Sequence, residues 1–121
     1  MAEHNELGKI GEELAVDFLT EKGFEVLETN WTFQKAEVDI IAKKGNILAV
    51  VEVKTRSSVA FGSPQDFVKP KKIKLLVKAI NEYVLSNDLD VEVRFDIVAI
   101  HAKEKQFEIE HLEEAFYYFD N

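Results

Sequence analysis

Two β-branched runs, residues 36–42 and 47–54, stand on either side of Lys43-Lys44-Gly45-Asn46, and this arrangement constrains the fold more than any other stretch of the chain. Val and Ile are stiff at χ1 and suit a pleated surface, while Gly-Asn supplies the positive φ that a two-residue hairpin turn demands. The pattern therefore predicts an antiparallel hairpin. With Gly45-Asn46 as the turn, Lys44 pairs with Ile47, Ala42 with Ala49 and Ile40 with Val51, and Asp39 comes to lie opposite Glu52. Side chains alternate along a strand, so Lys54 shares the face of Glu52, and Val38, Ile40, Val51 and Val53 are expected on the other face. A turn two residues longer would set Glu37 against Glu52, and a one-residue slip would separate Asp39 from Glu52 altogether.

Directly opposed Cβ atoms lie about 4.5–5.5 Å apart, so two facing carboxylates repel unless positive charge sits between them. A divalent cation would resolve the conflict, and so would an ordinary cross-strand ion-pair cluster with Lys54. A further acid comes from the N-terminal segment. From about Asn5 to Lys22, Leu7, Ile10, Leu14, Ala15, Phe18 and Leu19 recur at helical spacing, with Gly23 as the stop. On that helix Glu12 falls at the edge of the apolar stripe and Glu13 faces outward, while Gly8, one turn earlier, leaves its side bare for a strand or a substrate backbone. The alternative for Glu12 is a carboxylate that merely stabilises a helix start.

The rest of the chain supplies a strand over about Phe24–Phe33 with an irregular end near Thr29-Asn30, a loop over residues 57–68, and a helix opened by Pro70 and ended by Ser86-Asn87-Asp88. A strand is expected over Val91–Ile100 and a last one over Gln106–Glu110, followed by a short aromatic-rich helix or tail from Leu112 to Phe119. The order αβββαβ predicts an α/β (α+β) domain with a central mixed sheet flanked by helices. At 121 residues, 46% hydrophobic and 31% charged, the chain suits one folded domain over residues 1–121.

Composition removes several chemistries. Without cysteine there is no disulfide, thiolate zinc site or cysteine nucleophile. His4, His101 and His111 form no metal-binding spacing and are expected at the surface, and no Gly-rich phosphate loop is present. Asp96 is expected to pair with Arg94, and Phe116-Tyr117-Tyr118-Phe119 to pack on the core or on a second subunit. The N-terminal residues lack the basic start and apolar run of a secretory signal, which predicts a cytoplasmic protein. The net charge of −8 is unevenly distributed: residues 43–78 hold nine lysines or arginines against Glu52 and Asp66, a local net of +7. One basic face and an acidic back suit a phosphate-binding protein, although a solvated lysine-rich helix accounts for the same residues.

Asp39 followed by Glu52-Val53-Lys54 matches the PD-(D/E)XK motif of restriction-endonuclease-like nucleases, with Val38 in place of the proline. Together with Gly8-Lys9-Ile10-Gly11-Glu12, Asn30, Glu37 to Ile41, Thr55-Arg56, Phe61-Gly62 and Arg94-Phe95-Asp96, the chain resembles the bacterial YraN family of that superfamily. It is also similar to archaeal Holliday-junction resolvases. It departs from the family pattern at Ala36, where glycine is usual, and at Thr32, near where a basic residue is common. The resemblance implies a metal-dependent endonuclease acting on DNA, including branched DNA. It implies Mg²⁺ or Mn²⁺ held by Asp39, Glu52 and the Val53 carbonyl, with Lys54 and Glu12 completing the catalytic set. Thr55, Arg56, Lys69, Lys71, Lys72, Lys74 and Lys78 are the candidate nucleic-acid contacts. A homodimer would suit branched DNA, and the alternative function is a nucleic-acid-binding or scaffold domain with little catalysis.

Overall fold

The computed structural model describes residues 2–56, 69–104 and 106–115; the 57–68 segment with its Phe61-Gly62 motif and the aromatic run 116–119 lie outside the described residues. The elements are α1 (Ala2–Glu21), β1 (Glu25–Phe33), β2 (Ala36–Lys44), β3 (Ile47–Arg56), α2 (Pro70–Ser86), β4 (Glu92–Lys103) and β5 (Gln106–Leu112). The strands form one sheet in sequence order, antiparallel except for the parallel pair β3 and β4. Parallel neighbours need a long crossover, and α2 lies within it.

Each helix covers one side of the sheet. Ala15 and Leu19 of α1 pack with Phe24, Ile40, Ala42, Ala49, Val51, Val98 and Ile100. Leu76, Ile80 and Tyr83 of α2 pack with Val38, Ile41, Leu48, Val50 and Ile97. Successive residues of β3 therefore face different helices, and β3 and β4 read as nearly continuous apolar runs because both of their faces are buried. The domain is thus α+β, consistent with a restriction-endonuclease-like core.

Local chemistry sets the boundaries. Gly23, at φ 99°, ends α1: its N–H bonds the Thr20 carbonyl and that of Phe24 bonds Leu19, a Schellman ending that a Cβ would strain. Gly45, at φ 61°, opens the two-residue turn, and the register Lys44↔Ile47, Ala42↔Ala49 and Ile40↔Val51 is the one expected. Pro70 begins α2, where its missing N–H costs nothing.

Three expectations are corrected, at Val38, at the end of β5 and at His111. Val38 does not share a face with Ile40; it packs on the α2 side while Ile40 packs on the α1 side. The irregularity expected near Thr29-Asn30 is present: Asn30, at φ 51°, lies between the pairs Thr29↔Ile40 and Trp31↔Val38, and a left-handed residue turns the chain out of the regular pleat there. β5 continues to Leu112 instead of ending at Glu110. In consequence His111 is not a surface residue: its side chain is 3% exposed, under the edges of the Phe18 and Phe24 rings.

Candidate metal and phosphodiester site

Beyond the pair Ile40↔Val51 the ladder between β2 and β3 stops, and Asp39 does not continue it by backbone pairing. Instead its Oδ2 accepts a hydrogen bond from the Val53 N–H at 2.8 Å. A strand residue's N–H and C=O leave the chain toward the same neighbour, which puts the Val53 carbonyl on the Asp39 edge. Where the strands part, a polar cleft of about 410 Å³ opens, lined by Gly8 and Glu12 of α1, Glu37 and Asp39 of β2, Glu52 to Arg56 of β3, and Lys72 of α2. Glu52 is 7% exposed, and its Oε1 takes the Lys72 ammonium at 2.6 Å and the Lys54 ammonium at 3.4 Å. Glu12 joins from the other helix, accepting from the Asn30 side-chain amide at 3.2 Å.

α1 reaches this position through a glycine. A Cβ on Gly11 would collide with the Thr55 hydroxyl, so the helix lies directly on β3 there, with Glu12 the next residue. The close strand approach expected at Gly8 occurs at Gly11; Gly8 faces open space on the cleft wall.

The charges are unbalanced at Asp39. Burial first, then the neighbouring carboxylates of Glu52 and Glu12, push its pKa up to about 6, against the opposing pull of the Val53 N–H and Lys72. Near neutral pH the carboxyl is mostly ionised at an energetic cost, which a bound cation would relieve. The donors available to such a cation are hard oxygens, two carboxylates and a carbonyl, which suit Mg²⁺ or Mn²⁺ and not a soft metal. Among the described residues no three acidic or histidine side chains form a metal-holding group by themselves. Any ion here would complete its shell with the carbonyl, water or substrate oxygen, as octahedral Mg²⁺ commonly does.

All four residues expected to carry catalysis, Glu12, Asp39, Glu52 and Lys54, line this one cleft. Val53, Thr55 and Arg56 line it too, and the Arg56 guanidinium donates to the Thr55 carbonyl at 3.0 Å. The lysines divide. Lys72 belongs to the cleft, whereas Lys69, Lys71, Lys74 and Lys78 are exposed at the start and along the outside of α2. Sequence reasoning placed Lys72 among phosphate contacts and missed its bond to Glu52, because contact between helix and strand is set by packing across the crossover. Glu37, considered only for a longer turn, also lines the cleft.

A second polar cluster lies apart from this cleft. Asp96, fully buried, accepts both Nε and an Nη of Arg94 at 2.9 and 3.0 Å, His111 Nε2 at 2.8 Å and the Glu114 N–H at 3.2 Å. Burial pushes the Asp96 carboxyl up, but the bonds from His111 and Arg94 outweigh it and hold the carboxyl below its ordinary value. Lys22 reaches His111 Nδ1 at 2.7 Å, tying the end of α1 to β5. The expected pairing of Asp96 with Arg94 is present and the histidine was the missed member.

The family described as Uncharacterised protein family UPF0102 matches residues 11–100, a range holding Glu12, Asp39, Glu52, Lys54 and Lys72. A UPF0102 protein of Flavobacterium psychrophilum is 71% identical over 119 residues, covering 98% of this chain and 100% of the relative. One from Phocaeicola vulgatus is 46% identical over 117 residues, covering 97% of each chain. Among the described residues no helix is long and apolar enough to cross a membrane. With most of its length matched by the family and by full-length relatives, the chain belongs to the UPF0102 family.

Proposed function

We propose that this protein is a metal-dependent endonuclease of the PD-(D/E)XK superfamily that hydrolyses phosphodiester bonds in DNA, with branched or junction-containing DNA as its substrate class. The observation that supports this reading is the convergence of Asp39 and Glu52, with Lys54 beside them, in one polar cleft where burial and neighbouring carboxylates raise the Asp39 pKa. Asp39, Glu52 and the Val53 carbonyl would hold Mg²⁺ or Mn²⁺. When bound, such an ion polarises a phosphate oxygen and lowers the pKa of an attached water.

The remaining roles belong to the protein. Lys54, its ammonium 3.4 Å from Glu52, stabilises negative charge that builds on the phosphate during attack. Glu12, oriented by Asn30, takes up a proton through water from the α1 side of the cleft. Thr55 and Arg56 continue β3 past the site, and Lys69, Lys71, Lys74 and Lys78 present a basic α2 surface to the nucleic-acid backbone. Cutting both strands of a branched substrate takes two such clefts, which favours a homodimer as the working unit, acting in the cytoplasm.

The test is incubation of the purified protein with labelled linear, flap and four-way-junction DNA and Mg²⁺ or Mn²⁺, beside Asp39→Ala and Lys54→Ala. Cleavage by the parent and its loss in both variants is expected. Failure to cut any substrate, or equal cutting by both variants, would refute catalysis; binding without cutting would favour the nucleic-acid-binding alternative.

A further inference from the structure

The α2 helix sends one lysine into the cleft, and it lands on a proposed metal ligand. Lys72 Nζ lies 2.6 Å from Glu52 Oε1, closer than Lys54, which approaches the same oxygen from the same strand at 3.4 Å. Glu52 is nearly buried, while the Lys72 side chain is 39% exposed and so has open space to withdraw into. Two ammonium groups on one carboxylate oxygen exceed what is needed to orient Glu52. They pair the desolvated Glu52 charge, and they occupy the oxygen that a cation at Asp39 and Glu52 would use.

We propose that Lys72 is the built-in counter-ion of the metal-free cleft, and that a divalent cation binding at Asp39 and Glu52 must displace its ammonium from Glu52. This inference rests on the metal-dependent reading above. A cation and the Lys72 ammonium compete for one oxygen, so the affinity of the ion carries the cost of breaking the lysine contact. Lys72 thereby raises the concentration of metal at which the cleft fills. Lys54, on the same strand as Glu52, keeps its place when α2's lysine swings out. The result is a cleft whose Glu52 is paired without metal and which becomes a phosphate site once Lys72 is released at its rim.

The sign of a metal-binding change separates this role from a structural one. Mn²⁺ binding is measured by titration calorimetry on the full chain without DNA, for the parent, Lys72→Met, Lys72→Arg and the control Lys44→Met. Lys44 lies at the turn end of the hairpin, where its ammonium donates to the Lys22 carbonyl. Lys72→Met is expected to bind Mn²⁺ about tenfold more tightly than the parent, equivalent to about 1.4 kcal/mol. Lys72→Arg, which keeps the charge, and Lys44→Met, which removes a distant one, are expected to stay within about twofold of the parent. A parent that binds Mn²⁺ with Lys72→Met equal or weaker would overturn the competition and leave the metal reading standing. Binding by Lys72→Met alone would support the competition in its strongest form. Binding by neither would overturn both. Thermal melts of each variant check that Lys72→Met is folded, and Lys72→Arg alone still refutes the idea if it tightens Mn²⁺ as Lys72→Met does.

Discussion

Replacing Asp39 by Asn should make the metal-free protein more stable, and the gain should depend on pH. The side chains are nearly isosteric, and the Asn oxygen still accepts from the Val53 N–H, so the change removes charge and little else. Burial and the Glu52 and Glu12 carboxylates raise the Asp39 pKa from 3.8 to about 6. At about 1.36 kcal/mol per pH unit this corresponds to about 3 kcal/mol, or roughly 2 after allowing for solvent reaching a half-buried carboxylate. The folded chain holds this proton more tightly than the unfolded chain. The associated stability is therefore fully present below pH 3.8 and is lost as pH rises through about 6. Asp39→Asn has no such proton to lose. Urea unfolding in EDTA is expected to show the variant about 2–3 kcal/mol more stable than the parent at pH 7.5 and near parity at pH 4. Mn²⁺ at about 1,000 times its Kd should reverse the order, because it stabilises the parent by about 4.1 kcal/mol and finds no paired carboxylates in the variant. A variant no more stable than the parent at pH 7.5, or a gap that is the same at both pH values, would refute the electrostatic reasoning.

Gly11→Ala should destabilise the fold by about 1–2 kcal/mol despite the better helix propensity of alanine, because the new methyl meets Thr55. Adding Thr55→Ala should recover part of that loss in a double-mutant cycle read from urea midpoints, and additive effects would count against the contact. Asp96→Asn should cost about 3–5 kcal/mol at pH 7, since it strands the Arg94 guanidinium beside a neutral amide. The lowered native pKa of Asp96 means that its contribution is present above pH 3.8 and fades as pH falls through the native value, so the deficit should shrink in strong acid. A deficit at pH 7 under 1 kcal/mol would show the cluster to be incidental.

The hairpin was legible because its information is local. Gly45-Asn46 dictates a two-residue turn, the turn dictates the register, and the register brings Asp39 and Glu52 to the same end of the ladder. The inward phase of Glu12 followed from helical periodicity, and Gly23 and Pro70 marked helix ends through their own backbone chemistry. Reasoning by strict alternation went wrong at Val38. Asn30 in the neighbouring strand takes a left-handed conformation, and a period of two has no term for a partner that leaves the pleat. The same irregularity shapes the cleft: it sits where Asn30 reaches Glu12 and where Asp39 turns its carboxylate to the Val53 N–H.

The burial of His111 and the placement of Lys72 depended on contacts distant in sequence. His111 is buried because β5 runs two residues further than its pattern suggested and carries the ring beneath α1, onto Asp96 of β4. Lys72 was visible as one positive charge in a basic stretch, indistinguishable by composition from Lys71 and Lys74. By itself the sequence determined the elements, the even register of the hairpin and the four polar residues Glu12, Asp39, Glu52 and Lys54, because turn chemistry and periodicity act between near neighbours. Tertiary structure alone decided which lysine of α2 meets Glu52 and which glycine of α1 meets Thr55. Those contacts depend on how two helices dock on opposite faces of one sheet, and docking is set by the packing of the whole core.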